Sequence, residues 1–294
     1  MPSVPWVDVS RRRLLLAAGA LALPFSFARA QEEPSTGGGN FSLFVPTPDI
    51  AVTRMLEIAG VKPSDYVIDL GSGDGRIVIT AAQKYGARGL GVDIDVELVE
   101  KSRAAAAAAG VAGRVKFEAM DVMAADLRGA TVVTMYLFPE LLTQLRPKLM
   151  RELAPGARIV VHDFAFGGWE PDGTESFFVQ EKYFGRGGQS RVSLWIVPAD
   201  VAGRWRIVLA GAAPVTVRLQ QTYQMLQVVP EGAPGAAPGS GQLRGADIEL
   251  KLAAPARGGA RWHELAGRVE GDRMAGTARR ADGAAVQWSA SRLA

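Results

Sequence analysis

Between residues 65 and 198 short runs of aliphatic and β-branched residues alternate with longer stretches whose apolar positions recur at helical spacing. The runs predict strands at 66–70, 88–93, 115–119, 131–137 and 158–162, and the stretches between them predict helices at 75–85, 96–109, 122–127 and 139–153. Strand followed by helix, repeated, is the sequence form of a parallel sheet with crossover helices, so the fold class is α/β. Two more β runs, 176–184 and 191–197, follow the fifth strand with no long helix between them. They have room to pair only as a hairpin, which predicts a seven-stranded sheet with its last strand antiparallel to its neighbours.

After Pro198 the period changes. Val215, Val217 and Leu219 alternate with Thr216 and Arg218, and Ile248, Leu250 and Leu252 alternate with Asp247, Glu249 and Lys251. Period two marks strands with one buried face. Further short β runs surround Trp205, Trp262, Met274 and Trp288, and 230–241 is a Pro/Gly/Ala loop. Residues 201–294 are therefore predicted to form a small antiparallel β domain, separate from an α/β domain at 44–200.

The N-terminal residues differ from both. Ser10-Arg11-Arg12-Arg13-Leu14-Leu15 leads into an apolar run ending at Phe27 and into Ala28-Arg29-Ala30, a small-x-small cleavage pattern. Residues 1–30 read as a twin-arginine export signal, which places the mature protein in the periplasm, with an uncleaved membrane anchor as the alternative. The apolar run falls short of the roughly 20 residues of a membrane span, so no stable span is expected once the signal is removed. Residues 31–43, with Pro34 and Gly37-Gly38-Gly39, read as a linker.

Charge sharpens this division. The net charge of +3 resides entirely in the first thirty residues, and the remainder carries 29 basic against 29 acidic side chains. A protein that grips phosphates needs a surplus of Lys and Arg, so the balance argues against nucleic acid as the partner. Residues 31–200 hold 17 basic and 22 acidic residues, and residues 201–294 hold 12 and 7. Opposite net charges predict that the two domains dock. The chain has no cysteine and two histidines, too few ligands for a metal site, and none is assigned.

The chemistry concentrates where the first strand ends. Val67-Ile68-Asp69-Leu70 runs into Gly71-Ser72-Gly73-Asp74-Gly75 and then a helix, so a ligand can approach the backbone closely at the bend. A dinucleotide fingerprint would place its third glycine at position 76, where Arg76 stands. The second strand ends at Asp93, about 20 residues on, where a carboxylate can accept hydrogen bonds from both ribose hydroxyls. The third strand leads to Asp121. The glycine spacing after Asp69 resembles the first motif of class I methyltransferases. That resemblance implies a Rossmann-like seven-stranded methyltransferase sheet and S-adenosyl-L-methionine as cofactor. It further implies that Gly71, Ser72, Gly73 and Gly75 receive the methionine and ribose part, that Asp69 lies near the ammonium group, and that Asp121 meets the adenine amino group. Ile94 and Val122 complete the cofactor set.

In open α/β sheets the substrate lies at the carboxyl ends of strands. Tyr136, Phe138 and Glu140 after the fourth strand are candidates for the acceptor pocket. His162, at the end of the fifth, is a candidate proton acceptor, though a strand-end histidine is more often held in a hydrogen bond. Phe44-Val45-Pro46-Thr47-Pro48, the glycine motif through Ile79, residues 145–157 and Trp169-Glu170-Pro171-Asp172 together resemble the lysine methyltransferases of the ATP synthase c-subunit and the adenine nucleotide translocase. The resemblance implies a lysine side chain on a protein as acceptor, Phe44 to Thr47 closing over the cofactor, and Tyr136 lining the lysine channel. The leader and the C-terminal β domain depart from that family. They leave a small-molecule acceptor, or an exported binding protein that keeps the fold without turnover, as alternatives.

Overall fold

The computed structural model describes residues 44–180, 182, 186–232, 237–256, 259–279 and 283–294. The leader (1–30) and the whole linker (31–43) lie outside the described residues. The α/β region begins with α1 (Asp49–Ile58), β1 (Tyr66–Leu70) and α2 (Arg76–Tyr85), followed by β2 (Arg88–Asp93), α3 (Val96–Ala108) and β3 (Val115–Ala119). Then come β4 (Val132–Met135), α4 (Pro139–Glu152), β5 (Arg158–His162) and the hairpin β6 (Gly173–Val179) and β7 (Gly188–Ile196). The helix ends obey local chemistry. Asp95 accepts hydrogen bonds from the N–H groups of Glu97 and Leu98 to start α3, Gly86 ends α2 in the left-handed region, and Pro139 opens α4.

The sheet has the order β3-β2-β1-β4-β5-β7-β6, with β7 antiparallel to both β5 and β6. The chain runs outward from β1 to β3 and returns to lay β4 on the other side of β1. This makes the β1–β4 boundary the topological switch point, where an open sheet leaves a crevice at its carboxyl edge. Both faces of the central strands are covered. Ile68, Val133, Ile159 and Val161 pack with Leu142, Leu145 and Leu149 of α4, while Val67, Val132 and Val160 pack with Val52, Met55 and Leu56 of α1. Burial on two sides is why these strands read as unbroken apolar runs.

Three expectations fail here. Residues 122–124 form a turn and 125–127 run on without regular structure, so no helix forms there. The Asp121 carboxylate accepts from Met123 N–H at 2.8 Å, closing an Asx turn, and six residues are too few to offset helix nucleation without a partner face. The fourth strand is Val132–Met135, shorter than predicted, and the hairpin strands begin three residues earlier than the apolar runs suggested.

The C-terminal strands are β8 (Gly203–Leu209), β9 (Val215–Thr222), β10 (Met225–Glu231), β11 (Gly239–Arg244), β12 (Asp247–Ala256), β13 (Gly259–Glu270), β14 (Arg273–Arg279) and β15 (Ala285–Leu293). Each pairs with the next, and β15 pairs with β8, so the sheet closes into an eight-stranded barrel without edges. Trp205, Leu219, Val228, Leu250, Leu265, Met274 and Trp288 fill the interior. A Cβ at Gly267 would stand 2.7 Å from the Trp288 ring, so the strand is bare where the indole lies.

The described residues all fall within one compact unit. The sheet meets the barrel through an aromatic joint. Trp169 stacks on Tyr223 with centroids 5.1 Å apart, and its indole N–H donates to Gln224 Oε1 at 2.9 Å. The Gln224 amide donates in turn to the Glu170 carbonyl at 2.8 Å. Among the described residues no ion pair crosses this joint. The Arg146 guanidinium lies over the Tyr223 ring, 5.6 Å from its centroid, so the contact is an aromatic stack with a cation on it rather than an ion pair.

Candidate functional site

The turn after β1 is fixed by its own backbone. Gly71 and Ser72 N–H both donate to the Val92 carbonyl at 2.9 Å, which ties the turn to the end of β2. Gly71, Gly73 and Gly75 have φ of +77°, +54° and +79°, and at Gly73 a Cβ would collide with the Phe44 ring. A side chain there would carry left-handed backbone strain and also fill the space in front of the turn. Asp93 is buried, and its Oδ2 accepts from Gly73 N–H at 2.8 Å while Oδ1 accepts from Asp95 N–H at 3.0 Å. The Ser102 hydroxyl donates to the Gly73 carbonyl at 2.8 Å, so α3 holds the turn from beneath.

Asp69 is buried beside the turn, and its Oδ1 accepts from the Thr134 hydroxyl at 2.7 Å. Burial, more than the Thr134 hydrogen bond can offset, pushes its carboxyl up to about 7, and the charges of Asp93 and Asp74 act in the same direction. Ser72 Oγ is buried without a hydrogen-bond partner. Met120 N–H donates to the Asp93 carbonyl at 2.9 Å, which brings the end of β3 beside that of β2. Asp121 is exposed there and Ile94 is 50% exposed, whereas the Val122 side chain turns down into the core. Arg76 reaches across the turn. It pairs with Asp74 at 2.6 Å and donates to the Thr47 carbonyl at 2.9 Å, so residues 44–48 lie strapped over the glycines.

These features fit S-adenosylmethionine. A side-chain-free turn admits the ligand, an orphaned hydroxyl lies within it, and the carboxylates at the ends of β1 and β2 suit a cation and a diol. Gly71, Ser72, Gly73, Gly75, Asp69 and Asp93 converge on one point. Asp121 and Ile94 flank it, and Val122 contributes from below.

One strand away, at the ends of β4 and β5, lies an aromatic cluster. Tyr136 packs on His162 at 4.2 Å and on Phe164 at 5.9 Å, and Phe138, 60% exposed, packs on Phe164 at 5.9 Å. Leu137 lies against Gly71, which joins this cluster to the glycine turn. His162 is 1% exposed, and its Nε2 lies 2.6 Å from Ser190 Oγ. Burial pushes its ring down to about 4, against the upward pull of Asp163, so the imidazole is neutral near pH 7. His162 is thus placed to support Tyr136 and Ser190 from beneath. Glu140 is exposed in the first turn of α4, and the hydrogen bonds of the cluster do not include it.

Three polar members of this cluster escaped sequence reasoning. Asp163, next to His162, accepts at Oδ1 from Ser190 Oγ at 2.9 Å, and its Oδ2 pairs with Lys182 Nζ at 2.8 Å. Ser190 and Lys182 belong to the distant hairpin, so no local pattern announced them. Burial works against the Asp163 carboxylate, but the Lys182 hydrogen bond and its other donors outweigh it and lower its pKa.

A sheet of this order, with a glycine turn at its switch point and carboxylates closing the next two strands, defines a class I S-adenosylmethionine-dependent methyltransferase. A family described as "ANTKMT methyltransferase domain" matches residues 69–173. A protein-lysine N-methyltransferase from Saccharolobus islandicus is 45% identical over 129 residues, 44% of this chain and 80% of that protein. The mouse ATP synthase c-subunit lysine N-methyltransferase is 41% identical over 131 residues, 45% of this chain and 52% of that protein, so the chain spans about half the length of that relative. An RNA methyltransferase from Salinibacter ruber, solved with S-adenosyl-L-homocysteine, is 47% identical across 53% of this chain and 96% of its own, with a TM-score of 0.48. The chain belongs to this methyltransferase family.

Proposed function

We propose that the protein transfers a methyl group from S-adenosylmethionine to the side-chain amine of a lysine on a protein. The observation that carries this is the cluster of Tyr136, His162 and Phe164 one strand from the glycine turn, an aromatic wall beside the place where a methyl donor would lie. The two relatives named as lysine methyltransferases support it. In this reading Gly71 to Gly75 receive the methionine and ribose part, Asp93 the ribose hydroxyls, Asp69 the ammonium group, and Asp121 and Ile94 the adenine, while Val122, whose side chain packs in the core, has only its backbone to offer. Phe44 to Thr47 cover them. The cofactor supplies a methyl group already activated on a sulfonium.

The protein's own residues then align the acceptor and exclude water. A lysine amine must lose a proton before it can react, since its reference pKa is about 10.4. Transfer from water into a space walled by Tyr136, Phe138 and Phe164 favours the neutral amine. With His162 buried and engaged by Ser190, this scheme needs no strong general base.

The test is methyl transfer from labelled S-adenosylmethionine to total cell protein and to total RNA, followed by mass spectrometry of lysines in cells with and without the gene. Label on protein lysines that disappears with the gene is expected. Label confined to RNA, or to small molecules, overturns the protein acceptor.

We further propose that residues 1–30 export the protein to the periplasm. The Ser10-Arg11-Arg12-Arg13 pattern and the small-x-small site at Ala28 and Ala30 support this. Among the described residues no helix is long and apolar enough to cross a membrane. Replacing Arg11 and Arg12 by Lys should retain the protein in the cytoplasm, and unchanged fractionation would refute a twin-arginine route.

A further inference from the structure

We propose that Asp163 is the seat of the acceptor lysine's ammonium group, and that Lys182 occupies this seat as an intramolecular stand-in for the substrate. The inference rests on the lysine-methyltransferase reading and adds to it the residue that selects the amine.

Asp163 is built for a purpose beyond the fold. Its φ is +60°, in the left-handed region that non-glycine residues avoid, although it directly follows a regular strand. Two backbone bonds to Arg191 lock it there. Its N–H donates to the Arg191 carbonyl at 2.7 Å, and its Oδ1 accepts from Arg191 N–H at 3.0 Å. The result is a carboxylate held at the carboxyl end of β5, beside the aromatic wall rather than out in solvent. The Tyr136 hydroxyl lies 3.5 Å from Asp163 Oδ2.

The seat already holds a lysine. Lys182 Nζ lies 2.8 Å from Asp163 Oδ2 and 3.4 Å from Ser190 Oγ, and it also donates to the Gln189 carbonyl. Those three oxygens match the three N–H donors of an ammonium group. Ser190 donates to Asp163 Oδ1 with its single proton, so its lone pairs remain for donors, and His162 supplies one from Nε2. The oxygen set therefore accepts a cation and has little to offer a neutral hydroxyl. Tyr136 connects it to the donor side, since the next residue, Leu137, touches Gly71. A protein lysine arriving along the Phe138 and Phe164 wall would meet the same oxygens in its protonated form, once Lys182 leaves them. The seat selects the ammonium group, and the amine gives up its proton to solvent when it moves off the carboxylate toward the donor side, where the aromatic wall favours the neutral form.

The experiment uses the full chain with S-adenosylhomocysteine bound and n-butylammonium chloride as the probe, an ammonium on a lysine-length stem. Calorimetry at constant ionic strength would compare wild type, Lys182→Met and the double variant Lys182→Met/Asp163→Asn, with sodium chloride as the control titrant. Emptying the seat should tighten n-butylammonium binding at least tenfold over wild type, and the double variant should lose that gain. Equal affinity in the single and double variants, or no binding to Lys182→Met beyond the sodium chloride control, overturns the proposal. If Lys182→Met does not melt cooperatively, Lys182→Gln takes its place with the same two outcomes. Because binding is read without turnover, a failed seat and a failed lysine-methyltransferase reading give separate results.

Discussion

The Thr134 hydroxyl donates a 2.7 Å hydrogen bond to Asp69 Oδ1, joining β4 to β1 across the switch point of the sheet. That bond alone does not offset the burial of the carboxyl group. Because burial holds the Asp69 pKa up at about 7, a cation placed beside it would stabilise the carboxylate.

Binding of S-adenosylmethionine should therefore strengthen as pH rises through about 7 and then level off, with proton release at lower pH. Asp69→Asn should bind more weakly and flatten that profile. Calorimetry in buffers of different ionisation enthalpy measures both. A wild-type profile as flat as that of the variant would remove Asp69 from the cofactor site.

Asp93→Ala should weaken cofactor binding by at least about tenfold, equivalent to about 1.4 kcal/mol, because it removes the ribose acceptor and frees the Gly73 N–H. Asp93→Asn keeps one oxygen and should fall between. Affinity in Asp93→Ala equal to wild type would sink the ribose assignment.

His162 and Asp69 should shape stability against pH in opposite ways. The His162 ring titrates near 4 in the folded protein, below its ordinary 6.5, so the unfolded chain binds the proton more readily. Its contribution is present above about 6.5 and is lost as pH falls toward 4. Asp69 is raised from 3.8 to about 7, so stability from this group is present in acid and falls as pH rises across that interval. His162→Gln should reduce the acid loss, and Asp69→Asn should reduce the loss toward neutral pH. Denaturant midpoints at a series of pH values check both signs, and parallel curves for all three proteins would contradict them.

Gln224→Leu should destabilise the protein by about 2 kcal/mol, because the Trp169 N–H and the Glu170 carbonyl would be left without their partner in the joint. Differential scanning calorimetry reads the melting temperature, and tryptophan fluorescence reads the environment of the joint. An unchanged melt would mean that the sheet and barrel hold together without this contact.

What the chain declares by itself is what neighbours along it can enforce. Gly71, Gly73 and Gly75 permit a bend that other residues resist, the apolar runs mark strands covered on both faces, and the distance from that bend to Asp93 is one crossover unit. Hence the sheet, the glycine turn and the carboxylates at the ends of β1 and β2 were legible from the residues alone. Closure of the barrel was not, because it depends on β15 finding β8, and alternation shows only that a strand has one buried face. The false helix at 122–127 has a related cause: its residues carry ordinary helix propensity, and a single side chain, Asp121, diverts the backbone into a turn. Opposite net charges likewise foretold docking but not its means, since Trp169, Tyr223 and Gln224 meet only when two remote loops fold together. The same holds for the proposed ammonium seat. Asp163 follows the end of β5 and Ser190 lies on β7, 27 residues away. Antiparallel pairing of β5 with β7 sets one beside the other, a register decided by the packing of the whole sheet.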